Sequence, residues 1–245
     1  MTRRVFISDL HLESVQDPRF ARFRECLETE SLWADELFVL GDLFEMWIGD
    51  DDDTELADQA CDVLARASKH TRLHVMHGNR DFLEGDGFAA RTGARLIDDP
   101  FLTDDKLLLT HGDALCTDDH EYQRLRTLLR SDAWRAETLA KSLDERRAFG
   151  QSMREASRAT NANKADNIMD VNATAVSATL DEAGASIMVH GHTHRPGVHR
   201  TGAETRYVLG AWERCGWLLR QDADTFALEC FGVRYPYRSA VEAQR

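Results

Sequence analysis

Val5-Phe6-Ile7-Ser8-Asp9-Leu10-His11 carries the pattern on which this chain's fold is read. Three apolar residues read as a short buried strand, and the strand is followed at once by Asp-x-His. The same sentence recurs four times. Residues 37–40 precede Gly41-Asp42, and residues 73–76 precede Gly78-Asn79. Residues 107–109 precede His111-Gly112-Asp113, and residues 187–189 precede Gly191-His192-Thr193-His194. Helix-like segments lie between several of these runs. Asp17-Pro18 supplies an N-cap and a first-turn proline for a helix to about residue 29, and residues 55–69 have helical apolar spacing. Alternating strand and helix predicts an α/β fold with a mixed sheet. Ligands of such sheets collect beyond the carboxyl ends of the strands, where all five motifs stand.

After the last motif only strand-like runs remain, at 206–209, 217–220 and 226–231. They are expected to form a second sheet packed on the first. The stretch 118–163 is the exception, with no strand-like run and a helical pattern. Between 120 and 167 it holds ten Arg or Lys against seven Asp or Glu. The predicted organisation is therefore a core of residues 1–117 and 164–245 with a helical lid insertion at 118–163. Two readings of the insertion stay open: a basic lid over the motif edge, or a solvated helical hairpin with balanced charges.

The whole chain is acidic, with 245 residues and a formal net charge of −13, which argues against a general nucleic-acid binder. Five widely spaced Cys without a C-x-x-C pair read as reduced, mostly buried thiols. The N-terminal residues include no apolar stretch of signal-peptide length, and no segment approaches a membrane span of ~20 apolar residues. The expected location is cytosolic, or on a membrane surface without crossing it.

The motifs contribute two Asp, one Asn and four His, donors suited to borderline divalent metals. Asp42 is the candidate shared ligand, because a carboxylate has two oxygens. Two ions a few Å apart form a clamp for cleaving phosphate esters or anhydrides. Gly-Asp and Gly-Asn are common turn dipeptides taken singly; it is the ordered set behind five strands that points to metal. Asp113 reads either as a residue orienting a liganding His or as plain structure. The run at 50–53 reads as a solvated loop capping the helix near Glu55, in preference to a calcium site. His70, His74, His77, His120, His190 and His199 lie outside the ligand pattern.

This arrangement resembles the calcineurin-like metallophosphoesterases from Asp9 to His194. The resemblance implies a two-sheet sandwich flanked by helices. It implies one metal on Asp9, His11, Asp42 and His194, and another on Asp42, Asn79, His111 and His192. It also implies a water held between the ions as nucleophile. The chain departs from the broad family after Gly78-Asn79, where a His acting as acid often stands and Arg80 stands here. Arg does not release its proton in a protein, but it neutralises phosphate. A phosphate leaving group, with a second pKa near ~6, needs little protonation. Arg80 thus favours a phosphoanhydride over an alkyl monoester; the competing reading is a loop Arg paired with Asp81.

The motifs spanning residues 41–50, 77–83, 111–119, 168–172 and 190–196 look like the UDP-2,3-diacylglucosamine diphosphatases of lipid A biosynthesis. That likeness implies hydrolysis of the pyrophosphate bond of a UDP-linked diacyl sugar to UMP and the diacyl sugar 1-phosphate. Two divalent ions, usually Mn2+, would serve. Asp42, Asn79, Arg80 and His192 would be the catalytic residues. Asn79, Arg80, Asp119, Ser157, Asn161, Lys164 and His192 would contact substrate. The enzyme would be peripheral on the inner face of the cytoplasmic membrane. Ser157, Asn161 and Lys164 have the spacing of one helix face. Phe149, Met153, Leu139 and Leu143 read either as an acyl channel or membrane contact, or as packing between lid helices. A phosphoesterase acting on soluble nucleotides or phosphoproteins, and a non-catalytic binding module, are the rival readings.

Overall fold

The computed structural model describes residues 2–161 and 170–232; for 158–161 it describes the backbone alone. Two sheets form the centre. The first has the order β11 (Thr225–Phe231), β10 (Gly216–Asp222), β1 (Arg3–Ile7), β2 (Glu36–Leu40), β3 (Arg72–Met76), β4 (Arg95–Ile97). The second runs β5 (Phe101–Leu102), β6 (Leu107–Leu109), β7 (Ile187–His190), β9 (Glu204–Val208), β8 (Gly197–Thr201). Strands β1 to β4 are parallel, as are β6, β7 and β9.

The alternation along each strand builds the layers. Val5 and Ile7 face one way, into a core shared with α1 (Pro18–Trp33) and α2 (Glu55–Ala67). Phe6 faces the other way and joins Phe38, Leu40, Met76, Leu107, Leu109 and Val189 between the sheets. Leu108 and Met188 point out of the second sheet onto Val176 and Leu180 of α7 (Ala173–Ala183). The order is helices, sheet, sheet, helix, with fully buried apolar side chains in three clusters.

The expected α/β sandwich is the observed one, with one correction. The late strands do not make a sheet of their own. β9 pairs parallel with β7, while β10 pairs antiparallel with β1, Phe6 opposite Leu219. β1, a buried strand with two open edges, needs a ladder partner on each side, and β10 satisfies the side that β2 leaves. The strands that lead to the predicted ligands are consequently divided, three in the first sheet and two in the second. Strands β4, β5 and β8, each short or exposed, were not predicted.

Helix α1 starts as expected, with Asp17 accepting from Arg19 N at 2.8 Å and Pro18 in the first turn. The cap of α2 is Thr54, not the Asp run before it. Short α3 (Asp86–Thr92) precedes β4, and three helices occupy the predicted insertion: α4 (His120–Leu129), α5 (Asp132–Leu139) and α6 (Leu143–Asn161). The Asp run at 50–53 is not simply solvated. Arg146 of α6 bonds Asp51 and Ile48 O, and Arg147 pairs with Asp52 and Asp53. The insertion's positive charge thus meets the core's negative charge.

Candidate metal centre

The loops leaving β1 and β2 are bonded to each other: Asp9 N donates to Gly41 O at 3.1 Å and His11 N to Asp42 O at 3.0 Å. The loops leaving β6 and β7 are joined likewise, Gly191 N to His111 O at 3.0 Å. Among the described residues, seven non-glycine residues have positive φ, and five of them are predicted ligands: Asp9, His11, Asp42, His192 and His194. Each such conformation costs roughly 1–3 kcal/mol and persists where surrounding structure over-determines it. The motif glycines explain how these loops approach so closely. A Cβ on Gly78 would overlap the Asp42 carboxylate, and one on Gly191 would overlap Asp9. Only the missing side chain allows that contact.

Two clusters result. Asp9, His11 and His194 bring donor atoms together, and so do Asp42, His111 and His192. His11 Nε2 is 3.1 Å from His194 Nε2, and His194 Nε2 is 3.4 Å from Asp9 Oδ1. Asn79 Oδ1 lies 3.1 Å from His111 Nε2 and 2.8 Å from His192 Nδ1. Asp42 stands between the groups, with Oδ2 3.7 Å from His11 Nε2 and Oδ1 3.7 Å from His111 Nε2. Donors about 2.0–2.2 Å from one ion stand roughly 3–3.6 Å apart. The spacings, the oxygen-nitrogen donor set and the doubly facing Asp42 fit two divalent ions.

Neighbouring groups orient these donors. His111 Nδ1 lies 2.8 Å from Leu40 O, a donor's position that leaves Nε2 free toward the centre. His11 Nδ1 stands 3.0 Å from Glu45 Oε2. Both Asp9 oxygens accept from His192 N at 3.0 Å, and Ser8 Oγ donates to Oδ2 at 2.5 Å. Burial opposes charge on His111, yet Asp42, Asp113 and Asp9 outweigh it and raise its pKa to about 9. Burial and then His111 bring His192 down to about 4. A pocket this rich in carboxylate favours cations.

Two organising residues escaped the sequence reading. Asp81 is fully buried and accepts from Gly78 N at 2.8 Å, Leu43 N at 2.7 Å and Asp42 N at 3.2 Å. It therefore ties the β2 and β3 loops together and does not pair with Arg80. Its place in Gly78-Asn79-Arg80-Asp81 was the available signal. Glu45, in the run after Gly41-Asp42, is the other. Asp113 orients no liganding His directly. It accepts from Tyr122 Oη at 2.7 Å and Arg126 Nε at 2.8 Å, with Arg130 Nη2 at 3.4 Å, so it anchors α4. Tyr122 stacks beside His192, ring centroids 6.0 Å apart.

A cavity of about 300 Å³ opens beside the centre. Asn79, Arg80 and Ser157 line it together with Trp47, Phe82, Leu125, Trp134, Phe149 and Met153. Arg80 Nε is buried without a partner. Asp119 is buried and caps α4, accepting from Tyr122 N at 3.1 Å. The Asn161 side chain and all of Lys164 fall outside the described residues.

Residues 2–196 match the family described as calcineurin-like phosphoesterase. The chain is 44% identical over 229 residues to the UDP-2,3-diacylglucosamine hydrolase of Chromohalobacter salexigens, covering 90% of this chain and 93% of that protein. It is 42% identical over 223 residues to the protein of that name from Marinobacter nauticus, covering 88% and 91%. With the Cellvibrio japonicus protein of that name it shares 40% over 237 residues, covering 94% and 99%. A likeness of this extent covers nearly the whole chain, and the chain belongs to the calcineurin-like phosphoesterase family, in its group of UDP-2,3-diacylglucosamine hydrolases.

Proposed function

We propose that the protein hydrolyses the pyrophosphate bond of UDP-2,3-diacylglucosamine to UMP and 2,3-diacylglucosamine 1-phosphate, a step of lipid A synthesis. The observation that carries this reading is the junction of an apolar cavity with the candidate metal centre through Asn79 and Arg80. Walls of Trp47, Phe82, Trp134, Phe149 and Met153 suit acyl chains.

In this reading one half of the centre is held by Asp9, His11, Asp42 and His194, the other by Asp42, Asn79, His111 and His192. Two divalent ions, proposed to be Mn2+, would supply charge neutralisation there and lower the pKa of a water toward neutral. Asn79 and His192 set the phosphate side of the centre. Arg80, which lines the cavity and has its Nε buried and unpaired, binds anhydride oxygens in the planar fork suited to phosphate. Water adds to one phosphorus as the bridging P–O bond breaks, and each product keeps one phosphate. The departing phosphate needs no strong acid, which suits an Arg where a His acid would otherwise act.

The division into a core of 1–117 and 164–245 and a lid of 118–163 belongs to the same proposal. The lid helices line the cavity, and Asp119, Ser157, Asn161 and Lys164 are assigned to substrate. Leu125, Leu128, Leu139 and Phe149 are exposed on α4, α5 and α6, with Lys141 beside Phe149, which supports docking on the inner face of the cytoplasmic membrane. No helix among the described residues is long and apolar enough to cross a membrane.

A substrate panel with Mn2+ tests the reading. Faster turnover of a dinucleotide polyphosphate or cyclic nucleotide than of the UDP-diacyl sugar would overturn it. Sedimentation with anionic vesicles, comparing Leu128→Glu with the parent chain, tests the membrane assignment.

A further inference from the structure

The loop carrying Glu45 lies between the metal centre and the lid. Glu45 N donates to Leu12 O at 3.1 Å, which fixes its backbone beside His11. Its side chain divides its two oxygens. Oε2 stands 3.0 Å from His11 Nδ1, and Oε1 stands 2.7 Å from Arg154 Nε of α6. Arg154 also reaches Glu13 Oε1 at 2.6 Å. The next residue, Met46, lies directly against Gly150 of α6, where a Cβ would overlap its sulfur. Arg146 of the same helix donates to Ile48 O at 2.7 Å. Three consecutive sites along α6 therefore rest on residues 45–48.

We propose that Glu45 is a positioning residue that couples metal loading at the Asp9–His11–His194 group to the seating of α6. The inference rests on the metal-centre reading above. A carboxylate at His11 Nδ1 keeps the proton on that nitrogen and leaves the Nε2 lone pair for a cation. Neither contact is yet an aligned hydrogen bond, because His11 Nδ1 and Arg154 Nε both lack a partner in hydrogen-bond geometry. Cation binding that draws His11 into line pulls Glu45 with it, and Glu45 carries Arg154. Binding free energies are reciprocal: if a cation at His11 favours the seated helix, the seated helix favours the cation by the same factor. The lid that covers the cavity would thus be ordered by the ions that the centre holds.

The test uses the full chain, with Mn2+ affinity measured by electron paramagnetic resonance and backbone hydrogen exchange followed over 143–161. In the parent chain Mn2+ is expected to slow exchange in α6. Glu45→Gln is expected to weaken one Mn2+ site by about 10–100-fold, as loss of an orienting partner does, and to abolish the Mn2+-dependent protection. The other site should keep its affinity, which also reports that the variant is folded. Arg154→Gln leaves the Glu45–His11 contact in place and should abolish the protection by itself. The double variant should be no weaker for Mn2+ than Glu45→Gln alone. The proposal is overturned if Glu45→Gln binds both ions within twofold of the parent, or if α6 exchange in the parent chain ignores Mn2+. A parent chain that binds no Mn2+ would overturn the metal reading itself, and the coupling with it.

Discussion

His11 Nε2 and His194 Nε2 stand 3.1 Å apart, although 183 positions separate the two residues in the chain. Both residues hold a left-handed backbone conformation to reach that point. Two imidazole nitrogens so placed share a proton or a cation. The carboxylates of Asp9 and Asp42 stand at their side and favour positive charge there.

Asp42→Asn keeps the size of the side chain and removes the charge that faces both groups. Metal content, read by elemental analysis, should fall by at least one ion per chain. Hydrolysis should fall by more than the roughly 10–100-fold that orienting residues cost. Unchanged metal content together with unchanged turnover would remove the two-ion proposal.

Arg80→Ala should lower kcat/KM by about 10²–10³-fold, the usual loss for one preorganised charge-stabilising donor. Metal content should stay at the parent value, because no Arg80 side-chain atom bonds a ligand. Arg80→Lys should recover only part of the loss, since a point charge replaces a planar fork. Full activity in the lysine variant would argue that charge alone suffices.

Glu84 is fully buried, and neither carboxylate oxygen has a hydrogen-bond partner. Burial, then Asp81 and Asp50, raise its pKa well above the ordinary 4.5. Between 4.5 and that raised value the native state therefore holds a proton that the unfolded chain has lost. Where the native state binds more protons, stability falls as pH rises, here from about 4.5 up to the raised native value. Glu84→Gln should stabilise the protein by about 1–3 kcal/mol near neutral pH. Thermal unfolding of both chains from pH 4 to 8 checks this: the gap should open with pH, and a gap of constant size would refute the assignment.

Arg146 is almost wholly buried at the lid's base, yet it bonds Ile48 O, Lys141 O and the Asp51 carboxylate. Asp51 is largely exposed, so solvent weakens its share of the attraction. Arg146→Met should cost about 1–3 kcal/mol, mostly from backbone carbonyls left unpaired. Limited proteolysis should then cut first between 130 and 150, with the core intact. Cleavage no faster than in the parent would mean that α6 is held elsewhere.

Legible in the sequence were the five loops of candidate ligands, the strands before them, the helices at Asp17-Pro18 and 55–69, and the helical character of the insertion. These are local matters: apolar runs, caps and glycines act within a few residues. Tertiary structure alone decided that β10 would join β1 while β9 joined β7, because an open strand edge accepts any partner that the chain can bring to it. It alone turned Asp81 inward onto the Asp42 and Gly78 amides, and drew the Asp run at 50–53 onto Arg146 and Arg147. It alone set Glu45 between His11 and Arg154. Charge pairing and buried amide satisfaction depend on which groups meet in space, and residues tens of positions apart carry no local mark of their partner.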